Sequence, residues 1–375
     1  MSDLSIIIPI FNAERYLNRC LDSVRSLKND VEIILIDDGS YDRSVEICDL
    51  YASKDKRFRV IHKENEGLVL SRKRGIDEVT TKYFTFIDAD DYIDSGMYDK
   101  MIGEIIGLEF DVDVVCVGMT EEYMGKIYTK INDYSEGVFS GNRIEELVYN
   151  MLSKGEFFNF GILPNAVCKI YRTDFYINNP INVCPDVSVG EDADMTFQLM
   201  VRASNICIFN MTPYHYCRRD DSMMWKKIDP KAIENLEQDL KKAFIESRYD
   251  EERLLNQLVD YIDFVSLLCN PAKLLRDDFF FSSKKDRIAL YGAGGVGKAL
   301  RYGMDNIFSL WVDKNYKKYS DENIVAVERL IDDQDCYDKI FIAIANVNTC
   351  QLIKDSLVDR GINKPIYYYR CKDNS

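Results

Sequence analysis

Over the first hundred positions, short apolar runs alternate with stretches whose apolar residues recur at helical spacing. Residues 5–10, 31–36, 57–62 and 83–87 read as strands. Between them, 13–27 places Tyr16, Leu17, Cys20, Leu21 and Val24 on one helical face, and 44–53 and 68–78 read as two further helices. Alternation at this period predicts a parallel sheet covered on both faces, and ligands of such sheets bind beyond the carboxyl ends of the strands. From residue 229 the pattern changes to charged helices over 232–247 and 251–269. A second alternating series then begins, with strands at 287–291, 309–312, 340–345 and 365–369 and a helix at 297–306. The expectation is an α/β chain in three parts: a first domain over 1–228, a helical connector over 229–285, and a small doubly wound domain over 286–375.

Charge and composition narrow the function classes. A net charge of −15 would repel a phosphate backbone, which argues against a nucleic-acid partner. Eleven cysteines with no CxxC pair and no basic-headed apolar leader predict reduced thiols in the cytoplasm. Only two histidines, His62 and His215, are present, too few for a multi-histidine zinc site, and His215 is expected to be packed or on the surface. No apolar run approaches the ~20 residues that span a bilayer, so membrane association is expected to be peripheral at most.

Polar clusters follow the predicted strand ends. Pro9-Ile10-Phe11-Asn12 ends the first strand and Asp37-Asp38-Gly39-Ser40 the second. An aromatic ring and a carboxylate at adjacent strand ends can grip a flat heterocycle, although Ser40 and Asp42 could equally cap the next helix. Asp88-Ala89-Asp90-Asp91 follows the fourth strand. Three carboxylates there repel one another unless a cation offsets them, and all-oxygen ligands favour Mn2+ or Mg2+; the bland alternative is an acidic solvated turn. Glu191-Asp192 opens a helical pattern and reads either as an acidic first turn favoured by the helix dipole or as a general base.

Taken in order, Ser5 to Asn12, Ile36-Asp-Asp-Gly-Ser40, Asn65-Glu-Gly67, Phe86-Ile-Asp-Ala-Asp-Asp91 and Glu191-Asp192 resemble the motif set of family 2 glycosyltransferases. The resemblance covers roughly residues 4–225 and implies a GT-A nucleotide-sugar-binding fold. It implies donor binding by Pro9, Phe11, Asn12, Glu14, Asp38, Gly67, Arg72, Asp88, Ala89 and Asp90, with Phe11 stacked on a base, commonly uracil, and Asp38 hydrogen-bonded to it. Arg72 matches the family's nucleotide-contacting arginine, though Ser71 and Lys73 depart from the family pattern beside it. Asp90 and Asp91 would hold Mn2+ or Mg2+, and Asp192, supported by Glu191, would be the catalytic base. The Tyr214–Ser222 stretch is similar to a segment of capsule and lipopolysaccharide transferases, which would set Arg218 or Arg219 against the leaving diphosphate. The Gln-x-x-Arg-Trp motif of processive synthases is missing, favouring single transfer, with inversion, onto a glycan or lipid-linked hydroxyl in surface polysaccharide synthesis.

The last part carries Gly292-Ala-Gly294-Gly-Val-Gly297-Lys298 after a strand, with Asp313 closing the next strand. This fits a dinucleotide-type loop. A P-loop is a poor fit, because Ala299 stands where the Mg²⁺-binding Ser or Thr would be. The segment looks like the Rossmann-type modules of bacterial sugar-modifying enzymes; alternatively the glycines serve packing alone, or the domain serves dimerisation. Two other functions compete with transfer. A sugar nucleotidyltransferase would need a Gly-rich basic loop after the first strand, where Phe11-Asn12-Ala13-Glu14-Arg15 stands instead. A nucleotide-sugar sensor would have lost the carboxylates at Asp88–Asp91 or Asp192, and both are present.

Overall fold

The computed structural model describes residues 3–108, 110–123, 126–154, 160–185, 190–217, 230–269, 287–303, 308–319, 323–344 and 347–368. They form two compact units, one of Met1–Leu152 with Phe160–Leu258, the other of Ser153–Asn159 with Val259–Ser375.

The first unit is built on β1 (Leu4–Ile10), β2 (Val31–Asp38), β3 (Phe58–Lys63) and β4 (Tyr83–Phe86), with α1 (Leu17–Arg25), α2 (Ser44–Lys54) and α3 (Leu68–Ile76) between them. All seven residues of β1 are buried, as expected of a strand covered on both faces. Here β1 pairs in parallel with β2 on one side and with β4 on the other, and β2 pairs in parallel with β3. The order β3-β2-β1-β4 reverses direction at β1, so a switch-point crevice opens between the carboxyl ends of β1 and β4. Pro9 lies past Ile7, the last β1 residue paired with β4, where a missing N–H is tolerated.

Short elements complete the unit: β5 (Tyr92–Ile93), α4 (Ser95–Ile106), β6 (Val114–Cys116), β7 (Met119–Tyr123), β8 (Lys126–Lys130), β9 (Gly137–Ser140), α5 (Asn142–Val148), β10 (Lys169–Arg172), α6 (Thr173–Asn178), α7 (Glu191–Met200), β11 (Asn205–Ile208) and β12 (Tyr214–Cys217). Among the described residues, the large sheet runs β3-β2-β1-β4-β10-β6-β11-β9 and a second runs β5-β12-β7-β8. Antiparallel β10 makes the large sheet mixed beyond β4. That second sheet begins at β5, directly after the acidic turn, and therefore borders the crevice.

The helices expected as a connector are α8 (Pro230–Ile245) and α9 (Glu251–Cys269). Their packing departs from that expectation. A Cβ added at Gly190 would lie 2.6 Å from Leu236 of α8, so α8 presses on the start of α7. Gln257 of α9 accepts from the Leu152 N–H at 3.1 Å and donates to the Val148 carbonyl at 3.2 Å. All of α8 and the start of α9 thus belong to the first unit, and the boundary falls inside α9 at Leu258.

The second unit contains β13 (Ile288–Tyr291), α10 (Gly295–Gly303), β14 (Phe308–Val312), β15 (Ile324–Val325), α11 (Arg329–Asp332), β16 (Lys339–Ile342), α12 (Val347–Asp359) and β17 (Ile366–Tyr368). The order β15-β14-β13-β16-β17, parallel throughout, is that of a doubly wound sheet with an apolar core on each face. No described helix is long and apolar enough to cross a membrane.

Candidate active site

The chain leaves β1 through Phe11 and turns at Asn12, whose positive φ of 50° is a conformation asparagine tolerates. Asn12 joins the first two strand ends: its N–H donates to Ser40 Oγ at 3.0 Å, and its Oδ1 accepts from the Tyr41 N–H at 3.0 Å. Phe11 is 49% exposed and meets Tyr41 edge-on, with ring centroids 6.0 Å apart. Beside them Asp38 is buried. It accepts from the Glu66 N–H at 2.9 Å, the Gly67 N–H at 2.8 Å and the Lys63 ammonium. Burial alone would raise the Asp38 pKa, but Lys63 and the two N–H donors outweigh it and hold the pKa below the usual carboxylate range. Asp38 thereby fixes the Asn65–Gly67 loop that opens α3. Glu14 caps the neighbouring turn, accepting from the Arg43 N–H at 3.0 Å.

Across the crevice, the acidic turn divides its carboxylates by partner. Asp91 is fully buried and accepts from the Tyr214 hydroxyl at 2.5 Å and the Cys217 N–H at 2.7 Å, tying the turn to β12. Asp88 and Asp90 stay partly exposed. Arg72 of α3, buried over the Phe86 ring at 5.3 Å, donates to Asp88 Oδ1 at 3.1 Å and to Asp192 Oδ1 at the start of α7. Three elements distant in sequence therefore meet at one guanidinium. Burial disfavours the charge on Arg72, yet Asp192, Asp88 and Glu191 outweigh burial and hold it protonated. Burial pushes Asp88 up to about 6 despite Arg72, with Asp192 and Asp90 adding to the shift. Glu191 is pushed up to about 7 by burial and by Asp192, with Arg72 opposing.

A last layer braces the turn. Arg19 of α1 donates to the Asp90 carbonyl at 2.7 Å and lies over the Tyr92 ring at 4.8 Å. Tyr92 stacks on His215 at 4.3 Å, and Glu122 accepts from the Tyr92 hydroxyl at 2.5 Å and bonds His215 Nδ1 at 2.9 Å. His215 is thus a packed residue.

The donor set fits a hard divalent cation. It is all oxygen, and burial raises both Asp88 and Asp91, with neighbouring carboxylates adding to each shift. Among the described residues no group of three or more His, Cys, Asp or Glu side chains is gathered to hold a metal by itself.

Glycosyl transferase family 2 matches this chain over residues 5–163. Glycosyltransferase GlyG of Streptococcus pneumoniae is 31% identical over 242 residues, covering 61% of this chain and 75% of GlyG. The chain belongs to glycosyl transferase family 2. Glycosyltransferase GlyA of the same organism is 29% identical over 224 residues, and the match spans 59% of this chain but only 31% of GlyA. The structure of Staphylococcus aureus TarS residues 1–349 in complex with UDP-GlcNAc superposes with a TM-score of 0.58 at 19% identity, over 73% of this chain and 75% of that one. This family member has the GT-A fold expected of it, with the crevice between β1 and β4.

Several expected residues take parts different from those expected. Asp91 spends both oxygens on β12, while Asp88 and Asp90 keep exposed surface. Arg72 donates from one terminal nitrogen to Asp88 and from the other to Asp192. Asp192 turns to Arg72, and the residue at the helix cap is Gly190, which has no side chain to offer. In the second unit Asp313 accepts from the Ala293 N–H at 2.8 Å and the Asn315 N–H at 2.6 Å, a loop-bracing role. Packing also accounts for two of its glycines: a Cβ at Gly292 would lie 2.9 Å from the Ala343 carbonyl oxygen, and one at Gly297 1.9 Å from that of Gly292. By contrast, a Cβ at Gly294 would meet nothing within 4 Å. Arg218 and Arg219 lie outside the described residues. Sequence reasoning missed Arg19, Tyr41, Lys63 and Tyr214 as site residues. Two of them carried a signal: Tyr41 as an aromatic directly after Asp37-Asp38-Gly39-Ser40, and Tyr214 as the first residue of the Tyr214–Ser222 stretch.

Proposed function

We propose that the chain is an inverting glycosyltransferase moving one sugar from a UDP-activated donor to a hydroxyl of a glycan or lipid-linked acceptor, in surface polysaccharide synthesis at the cytoplasmic face of the membrane. The observation that carries this reading is the meeting of Asp88 and Asp192 across Arg72 just past β4, with the half-exposed ring of Phe11 just past the end of the adjacent strand β1. One side of that crevice offers a stacking surface, and the other offers carboxylates for a sugar hydroxyl. UDP and not GDP is favoured because TarS, which shares the fold, is described with UDP and with UDP-GlcNAc.

In the reaction, a carboxylate of the Glu191–Asp192 pair accepts the acceptor hydroxyl proton as that oxygen forms its bond to the anomeric carbon. The bond from that carbon to the β-phosphate oxygen breaks, and UDP leaves with the electron pair. Attack opposite the leaving group turns an α-linked donor into a β-linked product. Asp90 and Asp88 would hold Mn2+ or Mg2+, which when bound offsets the negative charge of the diphosphate.

Hydrolysis of a panel of UDP- and GDP-sugars with Mn2+ and no acceptor tests the assignment. The expected outcome is release of UDP from one UDP-sugar, abolished by EDTA and restored by Mn2+. Undiminished turnover in EDTA excludes the metal, and GDP-sugars hydrolysed in preference overturn the base. A nucleotide-sugar sensor would bind UDP without hydrolysing any donor.

A further inference from the structure

Behind the first turn of α7 lies a second pair of carboxyl groups, which the proposed reaction does not use. Asp194 of α7 is fully buried, and its Oδ1 accepts from Gln198 Nε2 at 2.7 Å. Its Oδ2 is buried and has no N–H donor among the described residues. Gln198 cannot supply one, because its other amide hydrogen goes to the Asn182 carbonyl at 2.8 Å. The group that meets Asp194 there is Asp239 of α8, whose own Oδ2 is likewise buried with no N–H donor among the described residues. Two carboxyl groups can hydrogen-bond to each other only by sharing a proton. We infer that Asp239 is a positioning residue of the proposed transferase, fixing the first turn of α7, and with it Glu191 and Asp192, through one proton shared with Asp194.

The physical case rests on three features. First, α8 holds the chain on both sides of the turn into α7. A Cβ at Gly190 would lie 2.6 Å from Leu236, Asn235 donates to Cys184 Sγ at 3.4 Å, and Asp239 accepts from the Cys184 N–H. Leu236 and Asp239 stand at i and i+3, on one face of α8, so the face that presses on Gly190 also carries the carboxyl that meets Asp194. Second, α7 opens on left-handed Gly190 with no side-chain cap, so its first turn takes no support from a capping residue of its own. Third, the charges around the pair favour one shared proton. Burial pushes Asp194 up to about 8; Gln198 opposes, and Asp239 and Glu191 add to the rise. Burial raises Asp239 as well, against the Cys184 N–H, Asp194 and Lys242 of α8. The proton therefore rests on Asp194 and is donated to Asp239. Its loss would set two like charges in one buried contact, which pushes α7 away from α8. Displacement there reaches Asp192 and Glu191, which occupy the same turn.

This inference rests on the transferase reading, and the test separates the two. Asp239→Asn replaces the shared proton by an amide N–H that donates to Asp194 at every pH, whereas Asp239→Ala removes the partner. Three measurements are made on the full chain at pH 6.5, 7.5 and 8.5. They are hydrogen–deuterium exchange of α7, UDP binding by calorimetry with Mn2+, and hydrolysis of the wild type's best UDP-sugar. In wild type, protection of α7, corrected for the intrinsic pH dependence of exchange, should fall as pH rises from 6.5 to 8.5; in Asp239→Asn it should hold. The ratio of Asp239→Asn turnover to wild-type turnover should rise twofold or more over the same interval. UDP affinities of the two proteins are expected to stay within threefold of each other at each pH. Asp239→Ala should lose protection of α7 and turnover at all three values. Parallel pH courses of wild type and Asp239→Asn in either protection or turnover overturn the inference, and so does a tenfold loss of UDP affinity in Asp239→Asn. If wild type hydrolyses no UDP-sugar, the transferase reading fails, while exchange still decides whether Asp239 fixes α7. Should Asp239→Asn fail to fold, Asp194→Asn, whose amide donates to Asp239, takes its place with the same expected courses and the same overturning result.

Discussion

At the scale of single residues, Phe11 and Asp192 make separable contributions. Phe11 is half exposed and meets Tyr41 edge-on, so a base can cover its face. Phe11→Ala should weaken UDP binding by about 1–2 kcal/mol, the scale of an aromatic contact, in calorimetry with Mn2+. An unchanged dissociation constant would place the base elsewhere. Asp192 gives the opposite profile. As the proton acceptor held by Arg72, Asp192→Asn should lower turnover on the order of 10²-fold or more while leaving UDP affinity nearly unmoved. As a mere helix-start residue it would be neutral, since asparagine suits that end of a helix about as well as aspartate. Near-native transfer by both Asp192→Asn and Glu191→Gln would move the search to another carboxylate.

At the scale of elements, α3 and α7 place the chemistry and each has a point of failure. Gly75 of α3 packs so closely on β1 that a Cβ there would lie 2.3 Å from Ile7 Cγ2. Gly75→Ala should therefore cost about 1–3 kcal/mol of stability through overpacking, read from the urea midpoint. In α7, Asp194 has no exposed surface, accepts from Gln198 at 2.7 Å and faces Asp239 of α8. Burial pushes its pKa up to about 8, Gln198 opposes, and Asp239 and Glu191 add to the rise. The folded state thus keeps a proton that the unfolded chain releases near ~3.9, and the linkage relation makes stability fall as pH rises through that interval. Melting temperatures at pH 5, 6.5 and 8 should decline more steeply in wild type than in Asp194→Asn, which cannot ionise. Parallel slopes would show that Asp194 is ionised throughout.

At the scale of the whole molecule, the first unit contains every residue assigned to donor, metal and acceptor, while the second has its own parallel sheet and two apolar cores. Units organised in this way are expected to fold separately. A chain ending near residue 276, which keeps all of α9, should be soluble and hydrolyse the donor at a rate close to that of the full chain. A soluble truncated protein without hydrolysis would give the second unit a direct part in the reaction.

How much was legible in the sequence varied with the physics of each feature. The long buried strands announced themselves by near-continuous apolar runs: 31–36 was expected where Val31–Asp38 is found, and 57–62 where Phe58–Lys63 is found. The helix over 251–269 coincides with α9, because amphipathic spacing over many turns leaves little ambiguity. Strands β6 to β12 were not read, since runs of three to five residues carry too few repeats to show a period. The sequence by itself also determined which crevice would be polar, because Asp38, Asp88 and Asp192 follow apolar runs or open a helical one. It could not distribute the work among those carboxylates, which are chemically alike. That was settled by partners far away in the chain: Tyr214 takes Asp91 across 123 positions, and Arg72 reaches Asp192 across 120. Only the fold brings a hydroxyl to one carboxylate and a cation to another, so that local hydrogen bonding and charge make chemically alike side chains differ.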